Sequence, residues 1–149
     1  MAKLIGDYSI KESTGYWLRE TYNTVSENLQ KKFDQYDVSV AQWPILYSIY
    51  DESCNTPAEL AEHLNLNRSA ITRLLDRLEK KGLVIRVSST EDKRSVFVEL
   101  SQSGLSIVQK LAEIARETNN RILSGLSAQE IKTFDGILKK ITSNALADQ

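Results

Sequence analysis

Polar and basic side chains recur along one stretch of the chain at the spacing of a single helix face. They are Ser69, Thr72, Arg73 and Arg77, and Arg68 lies at the start of the same stretch. Because a helix repeats every 3.6 residues, these side chains project from one side. Arginine can donate two hydrogen bonds to guanine, threonine can contact a base edge or a thymine methyl group, and serine can bind a phosphate. The spacing therefore predicts a helix that enters the major groove of DNA, with Arg68 and Arg77 at its edges binding phosphates.

The charge distribution points the same way. The chain of 149 residues has a net charge of −1, yet residues 68–94 contain eight basic and four acidic residues. A basic segment inside a folded region favours binding to a polyanion. The alternatives that this pattern leaves open are an ordinary solvated helix face and a module that binds another protein. An apolar recognition face would be typical of the protein-binding module, whereas this face is polar.

Start and stop signals place the basic helix second in a helix-turn-helix. Thr56 and Glu59 fit a capping box and Pro57 suits the first helical position, so one helix begins there. Asn65 can adopt the left-handed conformation that a tight turn needs, and Asn67 can cap the next helix. Leu66 is expected to fill the turn, and Gly82 is expected to end the second helix.

A β-hairpin is predicted directly after Gly82. Residues 83–87 are apolar and β-branched, and residues 96–100 alternate in the same way. Their connecting loop carries Asp92, Lys93 and Arg94. A hairpin that follows a recognition helix is a wing, and cationic side chains at its tip suit the electronegative minor groove.

Long amphipathic helices are predicted on both sides of this region. Apolar residues repeat at helical spacing from Leu18 to Tyr36, a second helix is expected to start near Ser39, and a third apolar stripe covers residues 102–124. Ser127 and Glu130 fit another capping box. The final helix is expected to bury one face, made of Ile131, Phe134, Leu138, Ile141 and Ala145. Helices this long should pack against other long helices or against another subunit.

The order of these elements resembles the MarR family of bacterial and archaeal transcriptional regulators. The resemblance runs from Gly15-Tyr16-Trp17-Leu18 through the loop Asp92-Lys93-Arg94 and the stretch Leu100-Ser101-Gln102-Ser103-Gly104 to the last helix. It implies that Thr72 and Arg73 read bases, that Arg94 enters the minor groove, and that Asp92 braces Arg94. It also implies an intertwined homodimer built by the first and the last two helices.

The expected fold is mainly α with a small β-hairpin wing, in the α+β class. Residues 39–100 should form the winged helix-turn-helix lobe, residues 9–36 and 101–147 the helical dimerisation region, and residues 1–149 one unit. The expected function is that of a DNA-binding repressor, acting as a homodimer on a pseudo-palindromic operator and relieved by a small phenolic or aromatic carboxylate effector. Tyr16, Trp43 and Tyr47 are the candidate effector-binding residues, with core packing as the alternative for these aromatic side chains.

Other classes of function are disfavoured by what the sequence lacks. The single cysteine, Cys54, and the single histidine, His63, cannot form a Cys/His metal site, and no catalytic set is present. We therefore expect no enzyme activity, no cofactor and no metal. A cysteine-based redox sensor acting through Cys54 stays open as an alternative. The composition, the lack of a long apolar run and the lack of disulfide pairing predict a cytoplasmic protein that does not bind membranes.

Overall fold

The computed structural model describes residues 9–88 and 96–147. Six α-helices and one two-stranded hairpin make up this part of the chain, which confirms the mainly α fold with a small wing. The helices are α1 (Thr14–Phe33), α2 (Trp43–Tyr50), α3 (Pro57–His63), α4 (Arg68–Lys80), α5 (Gln102–Ile122) and α6 (Ala128–Ala147); the strands are β1 (Val84–Ser88) and β2 (Val96–Leu100). The chain divides into two compact units, Met1–Ala115 and Arg116–Gln149, so the division lies within α5.

The helices of the helix-turn-helix pack around the hydrophobic core of the first unit. Apolar side chains from the end of α1, from α2 to α4, from both strands and from the first half of α5 contribute to it. Its largest fully buried apolar members are Phe33, Ile45, Leu46, Leu60, Ile71, Leu75, Leu78 and Leu111. Three of these side chains come from α4, so the apolar side of that helix is fixed against the core.

Helix α2 begins later than the sequence predicts. Ser39 and Gln42 do make reciprocal capping bonds, from Ser39 N to Gln42 Oε1 at 3.0 Å and from Gln42 N to Ser39 Oγ at 3.2 Å. Residues 40–42 nevertheless form a turn, and the regular helix starts at Trp43. Pro44 explains the difference, because it lacks the N–H that a helix starting at Ser39 would bond to the carbonyl of Val40.

The connection into the helix-turn-helix follows the predicted capping chemistry. Thr56 Oγ1 accepts a bond from Glu59 N at 3.2 Å, and Glu59 Oε2 accepts one from Thr56 N at 3.1 Å. Asn65 has a φ of 51°, which confirms the left-handed turn, and Asn67 caps α4 through Ala70 N at 2.8 Å.

Leu66 does not fill the turn as expected. Leu66 is 41% exposed. The turn is closed by the backbone instead, because Leu66 N donates to the carbonyl of Ala61 at 2.9 Å.

The hairpin is antiparallel and joins the lobe at both strands. Val84 pairs with Leu100, and Ser88 pairs with Val96. Val98 N donates to the carbonyl of Asn55 at 2.7 Å, which ties β2 to the segment before α3. Gly104, in the first turn of α5, lies so close to the hairpin that an added Cβ would be 2.1 Å from the carbonyl oxygen of Leu83. Glycine is therefore required where α5 approaches β1.

The predicted apolar stripes of α1 and α6 are partly buried in the single chain. Half-buried members are Val25, Leu29, Ile131, Leu138 and Ile141, and exposed members are Leu18, Tyr22, Phe134 and Ala145. Phe33 is the one buried residue of α1, and α6 has none. The capping box of α6 is present, with Glu130 N bonded to Ser127 Oγ at 3.3 Å and Ser127 N to Glu130 Oε2 at 2.8 Å. Within one chain the face of α6 is therefore less buried than predicted, and the expectation that these long helices pack against other long helices or another subunit stays a prediction.

In the part of the chain that the structure describes, no helix combines the length and the apolar character needed to cross a membrane.

Candidate DNA-binding surface

Helix α4 holds the predicted DNA-binding side chains on a rigid support. Ile71, Leu75 and Leu78 are fully buried on one side of the helix. The opposite side exposes every residue that the sequence assigns to DNA on this helix: Arg68, Ser69, Thr72, Arg73 and Arg77. Because the helix is anchored by its buried side, these side chains project as one preformed polar surface, which we call the α4 face.

Two hydroxyl groups on the α4 face already have local partners. Ser69 Oγ donates to Asn67 Oδ1 at 2.7 Å, and Thr72 Oγ1 donates to the carbonyl of Arg68 at 2.9 Å. Both hydroxyl oxygens can still accept hydrogen bonds, and the Thr72 methyl group remains available for apolar contact. These bonds fix the direction of both side chains before any ligand is bound.

A charged cluster lies where α4 meets the hairpin. Arg86 of β1 donates from Nη2 to Asp76 Oδ1 and from Nη1 to Glu79 Oε2, both at 2.6 Å. Partial burial alone would lower the pKa of Arg86, but the hydrogen bonds and charges of Asp76 and Glu79 outweigh it and raise that pKa. Sequence reasoning did not identify Arg86 as the partner of these two acids. The signal was strand alternation, which puts Arg86 on the same side of β1 as the buried Val84.

A second polar contact ties the end of α4 to the segment between α1 and α2. The Lys81 ammonium group contacts the carbonyl and the carboxylate of Asp37, the latter at 3.1 Å, and Gln42 Oε1 at 3.3 Å. Gln30 of α1 reaches the same segment, donating to the carbonyl of Val38 at 3.1 Å and accepting from Val40 N at 2.9 Å. The end of the recognition helix is therefore connected to the end of α1.

The predicted wing residues Asp92, Lys93 and Arg94 lie outside the described residues. The strands on either side of them are paired up to Ser88 and Val96. The hairpin itself is therefore present, and the roles assigned to its loop stay predictions.

The three candidate effector residues do not come together in one chain. The Trp43 ring lies 5.2 Å from the Tyr47 ring and 5.8 Å from the Phe33 ring. Tyr16 instead contacts Trp17, with ring centroids 5.4 Å apart. Tyr16 precedes Phe33 by seventeen residues on the same helix, about 25 Å at 1.5 Å per residue. Trp43 and Tyr47 thus form one aromatic cluster, and Tyr16 belongs to a separate ring contact.

The environment of Cys54 disfavours a redox role. The side chain is buried, and burial together with the nearby charges of Glu59, Asp51 and Glu62 raises the pKa of the thiol. A raised pKa reduces the fraction of thiolate, which is the reactive form.

The single histidine, His63, is exposed on α3. Among the described residues, no group of three or more side chains could hold a metal ion.

Comparison with known proteins identifies the family of the chain. A model described as the MarR family matches residues 38–96. The chain is also 36% identical over 106 residues to the multiple antibiotic resistance protein MarR of Escherichia coli strain K12, a match that covers 70% of this chain and 74% of that protein. The chain belongs to the MarR family.

Solved structures extend the likeness to nearly the whole chain of this MarR-family protein. A mutant MarR from E. coli in complex with operator DNA has a TM-score of 0.78 and 31% identity, covering 85% of this chain and 91% of that one. The MepR–DNA complex of S. aureus has a TM-score of 0.84 and 25% identity, covering 89% and 98%. The protein is thus a transcriptional regulator that binds operator DNA, and the expectation that it is not an enzyme is confirmed by its relatives.

Proposed function

We propose that this MarR-family regulator is a homodimeric repressor that binds a pseudo-palindromic operator through the α4 face of each protomer. The observation that carries the proposal is the α4 face itself, where Arg73 and Thr72 are exposed at the centre and Arg68 and Arg77 at the edges of a helix whose other side is buried. In this arrangement Arg73 and Thr72 contact bases, and Ser69, Arg68 and Arg77 bind phosphates.

Exposed apolar side chains on α1 and α6 support the homodimer. Trp17 is 59% exposed, Tyr22 67%, Phe134 44% and Ile137 52%. Exposed large apolar side chains on otherwise polar helices mark an interaction surface, because their burial removes apolar area from water. A two-fold dimer places its recognition helices about 34 Å apart, one helical turn of DNA, which matches a pseudo-palindromic operator.

Repression follows from where such a dimer binds, since a protein covering an operator blocks access to the promoter beside it. A relative from Pseudomonas putida, 25% identical over 129 residues and matching 87% of this chain, bears the name HTH-type transcriptional repressor IacR. We propose that this MarR-family protein acts in the cytoplasm, where reducing conditions keep Cys54 as a thiol.

The hairpin loop supplies the second DNA contact in this proposal. Lys93 and Arg94 add two cationic groups beyond paired strands that begin beside α4. We assign Arg94 to the minor groove, with Asp92 accepting a hydrogen bond from it and Lys93 binding phosphate.

Salt titration of operator binding tests the proposed function. We expect log affinity to fall linearly with log salt concentration, by about 0.9 for each phosphate that the dimer neutralises. Replacing Lys93, the proposed phosphate contact of the hairpin loop, by alanine in both protomers should reduce this slope by about 1.8, whereas Lys110→Ala on the exposed side of α5 should leave it unchanged. The measurement is fluorescence anisotropy of a labelled duplex from the chain's own upstream region. Binding that is insensitive to salt, or no binding to any duplex, would contradict the proposal.

A small aromatic carboxylate is the proposed effector, and the Trp43–Tyr47 cluster is its binding site. The chain offers a direct assay, because Trp17 and Trp43 are its two tryptophans. In a Trp17→Phe variant, salicylate at sub-millimolar to millimolar concentration should change the remaining emission, corresponding to about −4 to −5 kcal/mol of binding free energy. The same concentration should weaken operator binding, because an effector that favours the DNA-incompetent state is itself disfavoured by DNA. An emission change with unaltered operator affinity would remove the regulatory part of this proposal.

A further inference from the structure

Two carboxylates lie where the proposed DNA-binding surface should be positive. Asp76 follows Arg73 by three residues and Thr72 by four, so it shares the centre of the α4 face. Glu79 lies beside it, toward the hairpin. The Asp76 side chain is 48% exposed and that of Glu79 is 41% exposed. Without a neighbouring positive charge, both carboxylates would repel DNA phosphates. Both carboxylates face the region between the recognition helix and the hairpin.

A single guanidinium group spans both carboxylates. Arg86 uses different nitrogen atoms for the two contacts, each 2.6 Å long, and its side chain is 28% exposed. Charge-assisted hydrogen bonds of this length are among the stronger polar contacts in proteins, and the planar guanidinium fixes their directions. Because Arg86 belongs to β1 and both acids to α4, the contacts also hold the hairpin to the recognition helix.

Because Asp76 and Glu79 pair with Arg86, they form no ion pair with the neighbouring basic residues of α4. Residues three or four apart on a helix can form ion pairs, so Asp76 is within reach of Arg73 on one side and Lys80 on the other. Among the described residues, the ion pairs of Asp76 and Glu79 are with Arg86, and neither Arg73 nor Lys80 takes part in one. Without Arg86, Asp76 could pair with Arg73 and withdraw it from DNA.

We propose that Arg86 is a positioning residue for DNA binding, which neutralises the carboxylates of Asp76 and Glu79, keeps Arg73 available, and fixes the hairpin relative to α4. The inference rests on the proposed use of the α4 face and deepens it. Arg86 acts through its partners and is not itself assigned to a base or a phosphate.

Four versions of the full chain test this role: the unchanged protein, Arg86→Gln, the triple variant Arg86→Gln/Asp76→Asn/Glu79→Gln, and the control Lys110→Gln. Affinity is measured by anisotropy on operator and random duplexes at low and moderate salt, with thermal unfolding in parallel. We expect Arg86→Gln to lose about tenfold in affinity, within the range that couplings between charged neighbours span. The loss should shrink as salt rises, because screening weakens repulsion between the carboxylates and the phosphates.

The triple variant separates neutralisation from simple structural support. With both carboxylates converted to amides no repulsion remains, so the triple variant should recover most of the lost affinity on random DNA even though it also lacks Arg86. The inference is overturned if Arg86→Gln binds like the unchanged protein, or if the triple variant binds no better than Arg86→Gln. If the unchanged protein binds no DNA at all, the proposed function fails instead, so the two failures are distinguishable.

Discussion

Replacing Arg73 by alanine is expected to weaken operator binding by about 1–3 kcal/mol for each half-site and to relax the base preference at one position. Arg73 is exposed at the centre of the α4 face, where it can donate two hydrogen bonds to one guanine. Because Ile71 and Leu75 fix the helix from behind, the guanidinium does not need a large rearrangement to reach the groove. Alanine removes both donors and leaves the guanine edge without its partner.

The measurement compares operator, operator with single base substitutions, and random duplex. Arg77→Ala is the matched control, because it removes the same charge from the edge of the same helix, where a phosphate contact is proposed. Arg77→Ala should weaken binding to all duplexes equally. Arg73→Ala should lower affinity most for the operator, and it should reduce the difference in affinity between the operator and a duplex substituted at one base pair. Equal losses of affinity for operator and random DNA in Arg73→Ala would show that Arg73 contacts a phosphate and not a base.

Local chemistry explains why the helix-turn-helix could be predicted closely from sequence. The capping bonds of Thr56 and Asn67 and the left-handed turn at Asn65 each depend on residues within four positions of one another. Such interactions are encoded by short patterns that a single sequence displays. The register of α4 follows from its cap and from the spacing of its buried leucines. Knowing that register is enough to predict which side chains face outward.

Contacts between distant segments could not be predicted in this way. Arg86 reaches Asp76 and Glu79 across the turn into the hairpin, and Lys81 reaches Asp37, forty-four residues away. A basic residue in a strand has many potential acidic partners, and the pattern of one strand does not select among them. The start of α2 was misjudged for a different reason. The capping box at Ser39 is real, but Pro44 removes a helical hydrogen bond that the box alone would lead one to expect.

The partly exposed stripes of α1 and α6 show what the pattern of a single sequence cannot predict. Their helical period predicts one apolar face on each helix, and in the single chain Tyr22 of α1 is 67% exposed and Phe134 of α6 is 44% exposed. The periodicity reports that apolar area must be covered and does not say by which chain. In the proposed homodimer a second copy would cover this area, because a two-fold interface uses the same surface on both protomers.

Introducing a charge among the exposed apolar side chains of α6 is expected to have the largest effect on the protein. Ile137→Glu should convert the dimer into a monomer of 16.9 kDa, because burying a carboxylate from each protomer against apolar neighbours costs several kcal/mol. Operator affinity should then fall by about 10²- to 10⁴-fold, since the two half-sites are no longer bound by one linked molecule.

Lys139→Glu is the matched control, because it places the same carboxylate two residues away on an exposed position of the same helix. Sedimentation velocity at micromolar concentration measures the mass, and anisotropy on a single half-site measures the binding that remains. No residue of α6 is buried within the chain, so the helix-turn-helix lobe should stay folded and the monomer should bind one half-site weakly. An unchanged chain that sediments as a monomer would contradict the homodimer. A dimer that survives Ile137→Glu would move its interface away from this part of α6, because a buried glutamate pair could not be tolerated there.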